Sequence, residues 1–209
     1  MIQSNNLTFK YKNKAHIFSF PGIDIKGTES LLVLGKSGIG KTTLLHLLAG
    51  LLQPLTGDIV INSVSMNALS NHKLDKFRGD NIGIVFQKKY AIQSLSVIEN
   101  LQARLFFCQK NNQKRTIDAL LEELNLNDCK NSKVNEISEG QLQRLSIALS
   151  IVHNPQVILA DEPTSSLDDE NCKIVINLLK AQAKKNNANL IVITHDHRIK
   201  PFFQNTIAL

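Results

Sequence analysis

Short apolar runs alternate with longer amphipathic stretches along most of this chain, and that order predicts an α/β protein. Several runs of four or five mostly apolar residues stop at glycine or at polar residues, which is typical of strands buried on both faces of a parallel sheet. Near the start, two shorter runs precede a Pro21-Gly22 turn and predict a small antiparallel sheet. The predicted strands are 7–11, 17–20, 30–34, 58–61, 82–86, 157–160, 190–193 and 206–209.

Helical periodicity dominates the middle of the chain. Ser96, followed by Glu99 three residues later, forms a capping box and predicts a helix start. Apolar residues at three- and four-residue spacing predict helices at 41–49, 112–124, 141–153 and 170–185. We therefore predict one domain, 1–209, in which a helical subdomain of about 89–154 is inserted into a core of about 1–88 and 155–209.

A phosphate-binding loop lies between the first predicted parallel strand and the first predicted helix. Residues 35–42 read Gly-Lys-Ser-Gly-Ile-Gly-Lys-Thr, which satisfies the pattern G-x-x-x-x-G-K-[ST] in its required strand-to-helix context. The glycines let backbone amides converge on the β- and γ-phosphates, so we predict that Lys41 bridges these phosphates and that Thr42 ligates Mg²⁺. The alternative, a glycine-rich turn without a ligand, gives no reason for Lys-Thr at the helix start. The predicted nucleotide contacts here are Gly35, Lys36, Ser37, Gly38, Ile39, Gly40, Lys41, Thr42 and Thr43.

Two adjacent carboxylates follow the strand predicted at 157–160. Asp161 and Glu162 would lie at the carboxyl end of that strand, where ligands bind in open α/β sheets. Adjacent side chains point in different directions there, so we predict that Asp161 holds Mg²⁺ through water and that Glu162 deprotonates the attacking water. An Asp-Glu pair alone is more often a solvated loop, and the phosphate loop is what favours the catalytic interpretation.

The segment before that strand carries the most discriminating motif. Residues 137–144 read Ile-Ser-Glu-Gly-Gln-Leu-Gln-Arg and resemble the signature of the ATP-binding cassette (ABC) family, Leu-Ser-Gly-Gly-Gln followed by Gln-Arg. Ser138 and Gln141 also form a capping box, and both interpretations hold together because a helix N-terminus with unpaired amides binds anions. The resemblance implies that Ser138, Gly140 and Gln141 complete the nucleotide site of a second subunit at its γ-phosphate.

The resemblance covers about residues 2–209 and implies a P-loop NTPase fold. That fold has a RecA-like core, a small antiparallel β subdomain and an inserted α-helical subdomain, and its cofactors are ATP and Mg²⁺. The pattern is most similar to the short bacterial subunits of the lipoprotein-releasing and macrolide-exporting group, through the segments 43–45, 49–54, 82–87 and 97–100.

Two further family motifs lie in loops. Gln87 resembles the Q-loop glutamine, which senses Mg²⁺ and the γ-phosphate, although an exposed loop glutamine is the alternative. Ser166-Leu167-Asp168 resembles the D-loop, which implies that Asp168 lies across a dimer interface near the nucleotide.

A histidine and a tyrosine are the last two residues that match positions of the family pattern. His195 resembles the switch histidine that hydrogen-bonds the γ-phosphate, whereas neighbouring His197 is interpreted as incidental. Tyr11 resembles the aromatic residue that stacks on adenine, and a core or edge-strand tyrosine is the alternative. The implied catalytic set is Glu162, His195, Gln87 and Lys41, and the implied metal set is Thr42, Gln87 and Asp161.

The sequence departs from the family pattern at several positions. Glu139 stands where the first signature glycine is usual and would bring a carboxylate near the partner's triphosphate. Repulsion across ~5 Å would cost about 1–3 kcal/mol at an effective dielectric constant of ~20 and would weaken dimer closure, unless the side chain turns to water. Lys36 and Leu142 also replace more common residues, and serines occupy positions 146 and 150 of the following helix.

Composition excludes some classes of protein and site but identifies no catalytic or binding residue. The net charge of +6 comes from scattered lysines, so we interpret it as solvated surface rather than a nucleic-acid site. Three widely spaced cysteines indicate neither a disulfide framework nor a zinc site and favour a reducing compartment. No apolar run reaches the ~18 residues needed to span a bilayer, and the start does not resemble a secretory signal. We therefore expect a cytoplasmic protein that reaches the inner face of the membrane through a partner.

The resemblance implies an ATPase subunit of an ABC transporter. Its expected partners are a second copy of itself, in an ATP-dependent homodimer, and an integral membrane permease, with no nucleic acid. One alternative is a regulatory subunit with slow hydrolysis, for which Glu139 is the sequence support. Another is an ABC ATPase acting on nucleic acid or ribosomes, but such relatives usually carry two cassettes or a long coiled-coil insertion.

Overall fold

The computed structural model describes residues 1–12, 14–109, 114–165 and 167–209, which form two sheets and six α-helices. The strands are β1 Ile2–Phe9, β2 Phe18–Ser19, β3 Ile23–Ile25, β4 Ser30–Leu34, β5 Thr56–Ile61, β6 Val64–Ser65, β7 Ile82–Val85, β8 Val157–Asp161, β9 Asn189–Thr194 and β10 Asn205–Ala208. The helices are α1 Lys41–Leu48, α2 Asn71–Asn81, α3 Val97–Phe107, α4 Lys114–Glu123, α5 Glu139–Ile151 and α6 Asp169–Lys185.

The larger sheet is parallel throughout, in the order β10-β4-β9-β8-β7. Strand β4 has the predicted bounds, and its residues alternate between two apolar clusters, with Leu31 and Val33 on one face and Leu32 and Leu34 on the other. This period of two places a buried core on each side of the sheet. The carboxyl ends of β4, β8 and β9 meet at one edge, and that edge is where the site forms.

One face of the parallel sheet packs with α1 and the antiparallel sheet, in which β1 pairs with β2, β3 and β5. Strand β1 begins earlier than predicted and ends at Phe9, so Tyr11 lies beyond it. Pairing to β3 and β5 extends it across polar residues that carry no alternation signal. The β1–β5 register shifts between Asn5 and Thr8, where Gly57 at φ 90° would hold a Cβ 2.4 Å from the Asn5 carbonyl oxygen.

The other face packs against α3, α4, α5 and α6. The predicted capping box is confirmed at α3, since the Ser96 amide donates to Glu99 Oε2 at 2.7 Å and the Glu99 amide donates to Ser96 Oγ at 3.3 Å. Helix α5 begins at Glu139, two residues before the predicted start, because Ser138 is its N-cap. Residues 112–113 of the helix predicted at 112–124 lie outside the described residues, and the proposed subdomain boundaries stay a prediction.

Helix α2 and strands β3 and β6 were not predicted. Helix α2 buries only Leu74 and therefore has almost no apolar periodicity to detect. Strands β3 and β6 have three and two residues, which is too short for a pattern. The mixed architecture itself, with one parallel and one antiparallel sheet, confirms the predicted fold class.

Candidate nucleotide site

The phosphate loop connects the end of β4 to the start of α1 as predicted. Gly38 and Gly40 have φ values of 82° and 110°, which only glycine adopts without strain. A Cβ at Gly40 would also lie 2.7 Å from the Phe18 ring. These two glycines allow the tight course of the loop, and α1 begins at Lys41 directly after it.

Lys41 is 6% exposed and lies across the inside of this loop. Its Nζ donates to the carbonyl oxygens of Gly35 at 3.0 Å and Lys36 at 3.1 Å, and it lies 3.2 Å from Glu162 Oε1. The cation therefore joins the loop to the acidic strand end across more than a hundred residues of sequence. Lys36, whose side chain is exposed, takes part through its backbone.

Thr42 and Asp161 form the second link across the site. Thr42 Oγ1 donates to Asp161 Oδ2 at 2.9 Å, whereas Asp161 Oδ1 is buried without a hydrogen-bond partner among the described residues. Burial raises the pKa of Asp161 most, with the Glu162 charge adding to the rise and the Thr42 bond opposing it. A hydroxyl and a carboxylate with a spare buried oxygen are the hard donors that Mg²⁺ prefers, so these residues fit the predicted ion.

Glu162 has a left-handed backbone, with φ 47°, and a side chain held by three neighbours. Thr194 Oγ1 donates to Oε2 at 2.6 Å, His195 Nδ1 donates to Oε1 at 2.9 Å, and Lys41 approaches the same oxygen. Burial alone would raise the pKa of Glu162, but these contacts together outweigh it and lower the pKa. The carboxylate is therefore ionised at neutral pH and fixed in orientation.

Gln87 and His195 lie beside this carboxylate. The structure brings both of them, with Glu162, to the wall of a cavity of about 460 Å³. Gln87 is exposed, and the His195 side chain is 60% exposed, so both are accessible from solvent. Gln87 and His195, which the resemblance linked to the γ-phosphate, thus lie beside the predicted base Glu162, and their roles stay predictions. His197 lines the same cavity, a position that its sequence context did not suggest.

The signature residues lie at the start of α5 and are bonded mainly to one another. The Ser138 amide donates to Gln141 Oε1 at 2.8 Å, and the Gln141 amide donates to Ser138 Oγ at 3.2 Å. In the described part of the chain, no hydrogen bond or ion pair joins Ser138, Gly140 or Gln141 to the phosphate loop. Their contact with the nucleotide of a second subunit stays a prediction.

Asp168 is placed at the N-terminus of α6. Its carboxylate accepts from the Asn171 amide at 2.8 Å and from Asn171 Nδ2 at 2.7 Å, and these bonds lower its pKa. Asp168 therefore acts as a helix cap within this chain, and its predicted interface role stays a prediction. Ser166, which belongs to the same motif, lies outside the described residues.

Tyr11 lies next to the phosphate loop from the side of the antiparallel sheet. Its hydroxyl is 3.0 Å from Thr43 Oγ1, and its ring meets Phe9 edge-on with the centroids 4.8 Å apart. The ring is half-buried. This placement suits both interpretations of Tyr11, because the aromatic cluster supports the ring while the neighbouring loop would hold the phosphates.

Several residues of the site were missed from sequence. Gln143 Nε2 donates to the Pro163 carbonyl at 3.1 Å and so ties α5 to the residue after Glu162. Arg198 binds Asp196 through both carboxylate oxygens, at 2.9 and 2.8 Å, and also reaches Asp169 at 2.6 Å. Asp196 directly follows His195 and lies two residues before Arg198. That spacing of an acidic and a basic residue was the available sequence signal for Arg198.

Across the described ranges, no helix is long and apolar enough to cross a membrane.

The serines at 146 and 150, which replace more common residues, donate to helix carbonyls of Leu142 and Ile147 at 3.0 and 2.7 Å. Both hydroxyls are therefore hydrogen-bonded within α5 and need no polar partner from the core.

A family model described as ABC transporter matches residues 22–165. The chain belongs to the ABC transporter family. It is thus an ATP-binding subunit with an ATPase domain, as the signature and phosphate loop predicted.

Curated relatives agree with this assignment. The chain is 36% identical over 166 residues to the lipoprotein-releasing system ATP-binding protein LolD of Buchnera aphidicola subsp. Acyrthosiphon pisum, which covers 78% of this chain and 73% of the relative. It is 34% identical to the uncharacterized ABC transporter ATP-binding protein MJ0796 of Methanocaldococcus jannaschii, covering 100% of this chain and 93% of the relative. The predicted similarity to the lipoprotein-releasing group is confirmed by the first of these.

Solved cassettes share the fold over its whole length. The dimeric structure of a post-hydrolysis state of the ATP-binding cassette MJ0796, bound to ADP and Pi, superposes with a TM-score of 0.88 at 32% identity and covers 100% of this chain and 94% of that one. The structure of cbiO1 from Clostridium perfringens, part of the ABC transporter complex cbiONQ, has a TM-score of 0.87 at 26% identity and covers 99% and 83%.

Proposed function

We propose that two copies of this cassette bind two ATP molecules between the phosphate loop of one copy and the signature of the other. Hydrolysis would then drive a separate membrane permease. The observation that carries the proposal is the division of the site: Lys41, Thr42, Asp161, Glu162 and His195 are joined by hydrogen bonds and ion pairs, while the start of the signature helix at Ser138 is exposed and, among the described residues, makes no such bond to the phosphate loop. The dimeric cassette among the similar structures supports this arrangement.

The chemistry follows from the contacts at the strand ends. On ATP binding, Lys41 would exchange the carbonyl oxygens of Gly35 and Lys36 for phosphate oxygens. Thr42, Asp161 and Gln87 would hold Mg²⁺, which supplies charge neutralisation between the β- and γ-phosphates. Glu162, ionised and oriented by Thr194 and His195, would accept the proton of the attacking water.

An apolar groove on the surface supports the proposal of a membrane partner. A cavity of about 660 Å³ lies between α2, α3, α5 and the loop after β7, and it is lined by the exposed side chains of Leu51, Tyr90, Ile92 and Phe107. Arg104 and the Arg78–Asp75 ion pair lie at the same wall, which therefore carries a net positive charge. We propose that a cytoplasmic segment of the permease, apolar with an acidic flank, docks here, and that the cassette is thereby held at the inner face of the membrane.

Steady-state ATPase activity over a range of protein concentrations tests hydrolysis by a dimer. We expect turnover per chain to rise with concentration, because each site needs two chains, and Glu162→Gln to reduce turnover at least ~100-fold. ATP binding by the single chain should persist in Glu162→Gln, which separates loss of chemistry from loss of fold. Unchanged turnover in Glu162→Gln would refute the assigned base.

The regulatory alternative rested on Glu139, whose free carboxylate would oppose dimer closure. In the structure this carboxylate pairs with Lys89, which favours a hydrolytic dimer over a braked one. Turnover that rises after Glu139→Gly at protein concentrations where both proteins are fully dimeric would restore the regulatory interpretation.

A further inference from the structure

Glu139 is the first residue of α5, where the family signature carries glycine, and it has a specific partner. Its Oε1 forms an ion pair with Nζ of Lys89, fifty residues earlier. The two side chains differ in exposure: 77% for Glu139 and 16% for Lys89. Lys89 is thus held by its surroundings and extends its amino group to a carboxylate at the surface.

The surroundings of Lys89 connect three functional segments. It lines a cavity of about 190 Å³ together with Gln87, Gln143 and Glu162. Gln143 belongs to the signature helix, and Gln87 lies two residues before Lys89. The ion pair therefore joins the loop that carries Gln87 to the start of α5, at the surface that the proposed dimer would turn towards ATP.

The charge of Glu139 creates a conflict in that dimer. A helix N-terminus attracts a negative group, and the Glu139 carboxylate and an incoming γ-phosphate would compete for the same positive end of α5. Without compensation the two anions would repel each other in a partly desolvated interface. Lys89 is the cation that the structure places on that carboxylate.

We propose that Lys89 is a positioning residue that makes Glu139 compatible with the partner's ATP. It neutralises the carboxylate and holds it towards the loop after β7, so that the Ser138 hydroxyl and the Gly140 amide remain available for the γ-phosphate. The pair thus leaves no unpaired negative charge near the γ-phosphate, as the uncharged glycine of the usual signature also does. The inference rests on the proposed ATP-bound dimer and deepens it by naming a residue pair on which the composite site depends.

A double-mutant cycle tests the coupling. In a Glu162→Gln background with Mg-ATP, the monomer–dimer equilibrium is measured by analytical ultracentrifugation for the parent, Lys89→Ala, Glu139→Gly and the double variant. We expect Lys89→Ala to weaken dimerisation about 10-fold at low salt and less at high salt, since the exposed charge is then screened. Glu139→Gly should dimerise at least as tightly as the parent, and the double variant should match Glu139→Gly.

Two further variants isolate the pair from general effects. Lys88→Ala removes the same charge from the neighbouring residue, whose Nζ lies 5.8 Å from the Tyr90 ring centroid, and it should leave dimerisation within about 2-fold of the parent. Lys89→Arg keeps the cation and should preserve dimerisation. Binding of a fluorescent ATP analogue by the single chain should be the same in all variants, which verifies that each is folded.

The outcomes separate this inference from the proposed function. If the parent fails to dimerise with Mg-ATP, the proposed dimer itself is refuted. If the parent dimerises but Lys89→Ala weakens the dimer equally in the parent and in the Glu139→Gly background, the coupling is absent and the inference is wrong. An equal loss in Lys88→Ala would also overturn it, because net charge alone would then explain the effect.

Discussion

The two halves of the proposed nucleotide site are built in different ways. The phosphate-loop half draws Lys41 from the start of α1 and Asp161, Glu162 and Thr194 from the ends of two strands, and it buries them in a network of hydrogen bonds. The signature half consists of a helix start whose bonds run mainly between Ser138 and Gln141, with its first residue largely exposed. One half is organised by the fold of a single chain, whereas the other offers donors that only a second chain would use.

The physical cause of this difference is the position of each half in the fold. Carboxyl ends of neighbouring parallel strands meet at one edge, so residues distant in sequence converge there without needing a ligand. A capping box instead satisfies its own amides locally and needs no tertiary contact with the rest of the chain. We therefore expect changes in the first half to affect mainly the free energy of unfolding and changes in the second half to affect mainly association.

The largest expected effect separates the two halves with matched serines. Ser138→Ala and Ser96→Ala each remove an N-cap of the same capping-box type and should each lower the free energy of unfolding by about 1 kcal/mol. Only Ser138→Ala should weaken ATP-dependent dimerisation, by about 10-fold or more, because a hydrogen bond to a charged phosphate is lost. Urea unfolding and ultracentrifugation measure the two quantities. A similar dimer defect in Ser96→Ala would mean that helix stability, rather than phosphate contact, limits association.

A smaller effect is expected from pH acting on the phosphate-loop half. Hydrogen bonds from Arg198, the largest cause, hold the pKa of Asp196 at about 2, against an ordinary value of 3.8. A lowered folded-state pKa contributes stability above the unfolded value that is lost as pH falls through the folded one. Asp196→Asn should therefore cost about 1–2 kcal/mol at neutral pH, allowing for the partial exposure of Arg198.

The pH dependence of that cost is the decisive part. The difference in free energy of unfolding between wild type and Asp196→Asn should shrink from about pH 4 to about pH 2, as the wild-type carboxyl becomes protonated. Urea unfolding at a series of pH values measures it. A difference independent of pH would show that the Asp196–Arg198 pair contributes packing rather than charge.

The smallest effect concerns the rim of the phosphate-loop half. Tyr11→Phe removes the hydroxyl beside Thr43 and should lower the free energy of unfolding by about 1 kcal/mol, with ATP affinity changed less than about 2-fold. Tyr11→Ala should weaken ATP binding about 5-fold if the ring stacks on adenine. Nucleotide titration decides between the two interpretations, since a purely structural tyrosine predicts equal ATP affinity in all three folded proteins.

The sequence predicted those parts of the molecule whose signals are local. Strand β4 was predicted with its observed bounds because its apolar run ends at a glycine, and Ser96 identified the start of α3 through its capping box with Glu99. Helix α2 was missed because it lies on the surface with one buried residue. The Lys89–Glu139 pair depends on tertiary placement across fifty residues, which no local pattern encodes.

Helix α5 packs closely on the parallel sheet at Gly83. A Cβ at Gly83 would lie 2.0 Å from the Ser150 carbonyl oxygen, so the far end of α5 rests directly on the backbone of β7. Ser138 lies twelve residues from that contact, a lever arm of about 18 Å at the helical rise. A tilt of about 10° around it would displace the signature by about 3 Å, the length of one hydrogen bond. A tilt of this size is thus large enough to make or break a phosphate contact at Ser138.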